Sequence, residues 1–392
     1  MRYIHIYNYR SLSLVFFSHS AHSFLLLLTN YLSLSHLSTN QAMASPVDEL
    51  TSEIFSILEN KFLFGSHNQH RHTNAKVGIL SIDSGGDGIL AAQTLLRLQS
   101  ILRLKSGNPT AHLADFFDVA AGAGAGGILV GLLFTRRPKD GRPLFTAEES
   151  LKFMLDNRKK LEPRGGGLLC SLRGKGNALH KVLNNVFGQL TLKDCCVKSV
   201  LIPCYDLMSG APFLFSRADA MEMADFRMAA VCGATAADGR AVELRSTDGR
   251  KKIVAIGGGV GNPTAAAITH VVNNKKEFPM CRGVEDLLVL SLGKGCPETS
   301  SSLEQIAAHT AADMVGNGIG SVNMVSSADE MLGQNNVESV LFKGRKVSEF
   351  TNMEKMEMFA RELIKEKERR NNNNNNNNNK APNHNHRNQI LT

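Results

Sequence analysis

The chain has 392 residues, with 43% hydrophobic, 20% charged and 6% aromatic side chains. That is enough to bury a sizeable core, and it excludes a collagen, a small disulfide scaffold and wholesale disorder. The formal charge of +8 belongs mostly to the ends: residues 1–42 carry Arg2 and Arg10 without an acid, and residues 361–392 carry seven bases against three acids. No basic stripe interleaved with aromatics is present, so no nucleic acid is expected as a partner.

The first 42 residues differ from the rest of the chain. They hold four of the five tyrosines (Tyr3, Tyr7, Tyr9, Tyr31) and no Asp or Glu. A secretory signal built on Phe24–Leu28, a transit peptide, and translation that starts instead at Met43 all compete here; the last is favoured, because MASPVDELTSEIFSILENKFLFG reads as a start running into an amphipathic helix. Leu50, Ile54, Ile57 and Leu58 would form its apolar face, packed on a sheet or touching a membrane.

Val77–Asp83 is a short apolar run, the first expected strand, and Ile89–Lys105 comes next with helical spacing at Leu90, Leu95, Leu98 and Leu102. Phe116–Ala121 reads as a second strand and Gly127–Phe134 as a second helix. Further strands are expected at Ser199–Tyr205, Pro212–Phe215, Lys252–Ile256 and Asp286–Leu292, with a helix at Thr264–Asn273. Strand, glycine turn and helix in repetition argue a largely parallel sheet with helices on both faces. Ligand-binding groups in such sheets sit at the carboxyl ends of the strands. Met353–Arg370 is a highly charged helix, and nine asparagines, Asn371–Asn379, succeed it. The expected organisation is an extension over 1–42, a domain over 43–345, a charged helix over 346–370 and an Asn-rich disordered tail over 371–392.

Three glycine clusters end strands. Asp83-Ser84-Gly85-Gly86-Asp87-Gly88 can cradle an anion with its N–H groups, or simply turn the chain. Gly122-Ala123-Gly124-Ala125-Gly126-Gly127 contains GxGxxG, but the acidic strand end of a dinucleotide site is missing. The same residues read as GxGxG, the shape of a nucleophile elbow with Gly124 where serine would stand. Gly257-Gly258-Gly259-Val260-Gly261 precedes Asn262-Pro263, an N-cap and first-turn pair.

Together ILSIDSGGDGILAA, DFFDVAAGAGAGGILVGLLF, RPLFTAEES, VLIPCYDLMSGAPFLFSRADA, VCGATAA, GGGVGNPTAAAITHV and GVEDLLVLSLG, in order between about Met43 and Leu341, resemble the patatin-like acyl hydrolases. The resemblance is nearest to the third subgroup of the plant patatin-related phospholipases. It implies a three-layer α/β/α fold around a mostly parallel sheet, and ester hydrolysis of phospholipids or galactolipids at a membrane surface.

In that family a serine on the elbow and an aspartate in a DGG motif form the dyad, and a Gly-rich loop makes the oxyanion hole. Carried onto this chain, the nucleophile position is Gly124 and the acid position Gly257. The elbow is Gly122, Ala123, Ala125 and Gly126; the oxyanion loop is Ser84, Gly85, Gly86, Asp87 and Gly88. Both dyad side chains are absent, and the loop lacks its basic residue. Lipid hydrolysis with a degenerate dyad and a catalytically silent, lipid-binding or regulatory protein are both open. Ser84, Asp87 and Cys204 are replacement nucleophiles or bases by type only; a turn residue, a solvated acid and a buried thiol are the plainer expectations.

No cofactor and no metal are implied. His180 and His270 are expected to be satisfied or surface histidines, and His67, His70, His72, His384 and His386 crowd polar ends. Cys170, Cys195, Cys196, Cys204, Cys232, Cys281 and Cys296 form no CxxC pair and are expected to be free thiols in a reducing compartment. Met314, Met324, Met331, Met353, Met356 and Met358 line either a core or a lipid surface. No apolar run reaches the ~18–20 residues of a membrane span. The expected location is cytoplasmic, peripheral to membranes, and plastidial or secretory only if residues 1–42 are a targeting segment.

Overall fold

The computed structural model describes residues 2–7, 76–84, 87–161, 175–195, 199–237, 241–257, 262–293, 329, 332–333, 335–337 and 346–378. In chain order the strands are β1 (Arg2–Tyr7), β2 (Val77–Ser84), β3 (Val119–Gly124), β4 (Ser199–Asp206), β5 (Ala211–Ser216), β6 (Ala241–Arg245), β7 (Lys252–Ile256), β8 (Leu287–Gly293), β9 (Asn335–Val337) and β10 (Lys346–Thr351). The helices are α1 (Ile89–Ser106), α2 (Ala125–Phe134), α3 (Ala147–Leu161), α4 (Lys175–Phe187), α5 (Arg217–Glu222), α6 (Met228–Thr235), α7 (Pro263–Asn273) and α8 (Asn352–Asn378).

The main sheet runs β1-β8-β2-β3-β4-β7-β6, with β5 also on β4. β1, β8, β2, β3 and β4 are mutually parallel; β5 and β7 are antiparallel to β4, and β6 to β7. The sheet is therefore mostly parallel, as the alternating pattern implied, with an antiparallel flank that hairpins produce directly.

Period-two alternation distributes the core over both faces. Leu80, Ile82, Ala120, Val200, Ile202, Leu288 and Leu290 join the helices of one face, α2 and α6 among them. Ile79, Val119, Ala121, Leu201 and Val289 face Ala267, Ile268 and Val271 of α7 on the other. This is the three-layer α/β/α arrangement.

Local chemistry sets the helix starts. Thr146 and Glu149 cap each other at the head of α3, at 2.7 and 3.1 Å. Asn262 caps α7 by accepting the Ala265 N–H at 2.9 Å, with Pro263 in the first turn, as the dipeptide predicted. Asn262 takes a left-handed φ of 82°, which asparagine tolerates better than most side chains.

Two expected elements differ by three residues or more at their ends. Phe116 and Phe117 precede β3, which continues instead to Gly124, so the second glycine cluster lies in the strand and helix themselves. The charged terminal helix, expected over 346–370, starts at Asn352 after β10 and runs to Asn378. It is more than a solvated rod: Met356, Phe359, Ala360 and Leu363 are buried in the main core, and Phe359 stacks on Phe117 with ring centroids 6.4 Å apart. Met356 is thus core, not lipid surface. Near the far end of α8, Arg370 forms a two-pronged pair with Asp118, at 2.9 and 2.8 Å, beside the start of β3. Leu50, Ile54, Ile57, Leu58, Met314, Met324 and Met331 lie outside the described residues. Among the described residues no helix is long and apolar enough to cross a membrane.

Candidate active site

β2 and β3 end side by side, with Ser84 paired to Gly124 in register. At Gly124 the chain passes from strand to helix without a loop. Gly124 has φ 61° and ψ −130°, and Ala125 already begins α2. A strained apex between a strand and a helix is the backbone geometry of a nucleophile elbow. The flanking glycines are there for space. A Cβ on Gly126 would stand 2.1 Å from the Ile82 carbonyl oxygen, and one on Gly122 would stand 2.4 Å from that of Gly126. A side chain at either position would force the neighbouring backbone to move, so packing requires glycine at Gly122 and Gly126.

The apex is held from the side by α6. Thr235, at the last turn of α6 and 2% exposed, accepts the Gly124 N–H on Oγ1 at 3.1 Å and donates to the Pro203 carbonyl at 3.3 Å. The close approach of α6 depends on Gly127: a Cβ there would meet the Thr235 methyl at 2.5 Å.

Gly257 follows β7 and lies against the other side of the same residue. A Cβ on Gly257 would be 2.2 Å from the Thr235 carbonyl oxygen and 2.7 Å from that of Ala234. The end of α6 therefore occupies the space that a side chain at Gly257 would need. At Gly124 a Cβ would point at the Ser84 carbonyl oxygen, 2.8 Å away. Thr235 thus lies against both Gly124 and Gly257, and neither of these two residues itself carries a carboxylate or hydroxyl.

The loop after β2 is described only in part; Gly85 and Gly86 lie outside the described residues, as do Gly258, Gly259, Val260 and Gly261. Ser84 is buried, at 5% exposure. Gly88, with φ 71°, opens α1. Asp87 accepts the Ile89 N–H at 3.1 Å and pairs with Arg158 of α3 at 2.9 Å. The expectation of a solvated acid is corrected: Asp87 is a paired helix-start residue, its side chain 12% exposed.

Cys204, on β4, is 1% exposed, and burial together with nearby Asp206 pushes its thiol up to about 12. Such a thiol is protonated at neutral pH and is a poor nucleophile. Cys195, Cys232 and Cys281 are also buried, and burial pushes the Cys232 and Cys281 thiols upward too. Cys170, Cys196 and Cys296 lie outside the described residues. His270 is satisfied by Ser199 at 3.1 Å and Glu277 at 3.4 Å, and exposed His180 meets Asn184 at 2.9 Å. Among the described residues no three His, Cys, Asp or Glu side chains are grouped to hold a metal.

Two residues of this site escaped the reading of the sequence. Thr235 lies within VCGATAA, where no local pattern marks it. Arg158 sits on α3, a helix not anticipated.

Comparison with known proteins agrees with the resemblance. No family model matches the chain. Patatin-like protein 3 of Oryza sativa subsp. indica is 44% identical over 384 residues, covering 81% of this chain and 91% of that protein. Patatin-like protein 7 of Arabidopsis thaliana is 43% identical over 411 residues, covering 85% and 84%. Probable inactive patatin-like protein 9 of Arabidopsis thaliana is 38% identical over 368 residues, covering 82% and 94%. With such identity sustained over most of both chains, this protein belongs to the patatin-like family.

Proposed function

We propose that the protein is a lipid-binding member of the patatin-type acyl hydrolases, close to the third plant subgroup, whose Ser–Asp dyad has degenerated to catalytic silence. Its elbow and Gly-rich loop (Ser84, Gly85, Gly86, Asp87, Gly88) receive the ester of a phospholipid or galactolipid at a membrane surface, from the cytoplasmic side. Hydrolysis through a serine acyl-enzyme does not occur. The observation that carries this reading is the closed acid position: a Cβ at Gly257 would stand 2.2 Å from the Thr235 carbonyl, while Gly124 offers no hydroxyl.

An elbow stabilises the developing oxyanion with the N–H after its apex, here Ala125, and with loop N–H groups. Serine chemistry needs in addition a nucleophile and a base to take its proton. Loss of the nucleophile alone lowers turnover about 10⁶-fold in a comparable hydrolase, and the oxyanion hole and binding leave about 10³–10⁴ over water. The name of one relative, "probable inactive", is in keeping with a silent dyad. A second reading is hydrolysis by an activated water. It is favoured by the retained apex conformation, φ 61° and ψ −130°, where no serine needs presenting.

The test is fatty-acid release from phosphatidylcholine and galactolipid vesicles by the purified chain, beside a Gly86→Pro variant and with fluorophosphonate labelling. The expected result is vesicle binding, no serine adduct, and release no greater than that of the variant. Release that collapses in the variant without an adduct establishes the second reading. A stoichiometric serine adduct overturns both.

A further inference from the structure

The end of the sheet that carries the elbow also carries two hairpin tips. The β4–β5 turn exposes Leu207 and Met208, at 46% and 64%. One buried carboxylate holds this tip in shape. Asp206 accepts the Met208 N–H at 3.1 Å, the Ser209 N–H at 3.3 Å and the Ser209 hydroxyl at 2.8 Å. It also accepts the Val254 N–H at 3.2 Å, and the Leu207 N–H donates to the Val254 carbonyl at 2.8 Å. The apolar tip is thereby tied to the β6–β7 hairpin.

That hairpin, Ala241–Lys252, carries four bases (Arg245, Arg250, Lys251, Lys252) against two acids (Glu243, Asp248). All six are exposed. Glu243 pairs with Lys252 at 2.9 Å and Arg245 at 3.0 Å, and Asp248 pairs with Arg250 at 3.7 Å. Lys251 lies 4.7 Å from the centroid of the Phe213 ring. The hairpin keeps an excess of positive charge.

Strand register sets the height of both tips. Ala121 is opposite Leu201, which brings Gly124 level with Cys204. Ala255 is opposite Asp206 on antiparallel β7, so Val254 stands three residues further out, ~10 Å beyond the elbow at the strand rise. The β6–β7 turn lies beyond that again.

We propose that Leu207, Met208 and the basic β6–β7 hairpin form a docking surface for an anionic phospholipid membrane, which turns the elbow toward the bilayer. The apolar tip enters the headgroup boundary and the bases meet lipid charge. The inference rests on the lipid-ester reading of the elbow. Two other exposed methionines, Met221 and Met223, flank the Glu222–Lys276 ion pair, where α5 follows the Ser216 that pairs with Leu201. They lie toward the opposite end of β4 and serve as a control surface.

The test is co-flotation of the purified full chain with phosphatidylcholine vesicles, with and without phosphatidylserine, over a salt series. Binding is expected to require phosphatidylserine and to weaken with salt. It should fall at least about tenfold in Leu207→Ser/Met208→Ser and in Arg250→Glu/Lys251→Glu, and stay unchanged in Met221→Ser/Met223→Ser. Absence of binding, indifference to phosphatidylserine, or an equal loss in the control variant overturns the proposal. Binding of a short-chain ester in free solution, measured alongside, separates the two readings. If the parent binds no ester yet needs the tips for vesicles, the elbow reading fails and the docking surface stands. If ester binding persists while the tip variants float like the parent, the docking surface fails alone.

Discussion

The Thr235 hydroxyl accepts the Gly124 N–H at 3.1 Å, across 111 positions of sequence. One threonine therefore braces the apex of the elbow, and its carbonyl blocks the neighbouring position at Gly257. Backbone packing, through one residue, shapes both positions.

Thr235→Val removes the acceptor of Gly124 and the donor to Pro203 while keeping the volume. The protein should lose about 1–3 kcal/mol in urea unfolding, the cost of leaving such groups unpaired. An unchanged midpoint would show that the brace contributes nothing.

Rebuilding the dyad by substitution should fail. Gly257→Asp forces the end of α6 away and should cost about 1–3 kcal/mol. Gly124→Ser adds strain of the same order at a left-handed φ, with the Ser84 carbonyl 2.8 Å from its Cβ. Fatty-acid release by the double variant is expected to stay at the parent level. Fluorophosphonate-sensitive release from a folded double variant would show that the site can reopen.

Cys204 is expected to resist alkylation in the native protein at pH 8. Burial and Asp206 hold its thiol at about 12, several units above the assay pH. Mass-spectrometric mapping after iodoacetamide treatment should find Cys204 modified only after unfolding. Rapid native labelling would restore it as a candidate nucleophile.

Asp206 makes stability depend on pH in a defined sense. Burial alone would raise its carboxyl; bonds from the Ser209 hydroxyl and the N–H groups of Met208, Val254 and Ser209 outweigh that and lower it. A carboxyl lower in the folded than in the unfolded chain stabilises fully above the unfolded value of ~3.9. That contribution is lost as pH falls through the folded value. The stability gap between the parent and Asp206→Asn should therefore be constant from neutral pH to about 5 and shrink below about 4. A gap independent of pH in acid unfolding would contradict the role assigned to the carboxylate.

Several elements were legible because their signals are local. β7 begins and ends at its expected limits, Lys252 and Ile256, and α1 ends one residue past its expected limit, at Ser106. The α7 cap needed only Asn262 and Pro263. α6 gave no such signal, because six of its eight residues are buried and a helix buried all round has no polar face to mark its period. β6 is only five residues long, so its alternation of Val242 and Leu244 with Glu243 and Arg245 is too short to mark a strand.

By itself the sequence determined the succession of strands, glycine turns and helices, the family, and the absence of a serine at Gly124 and an aspartate at Gly257. These come from residue identity and from periodicities a few positions long. Only the tertiary structure decided that the end of α6 fills the space beside Gly257, that Thr235 braces Gly124, that Asp87 is held by Arg158, and that α8 joins the core. Each of these depends on which backbone comes within van der Waals reach of another across tens to hundreds of residues, a property of close packing that no local pattern carries.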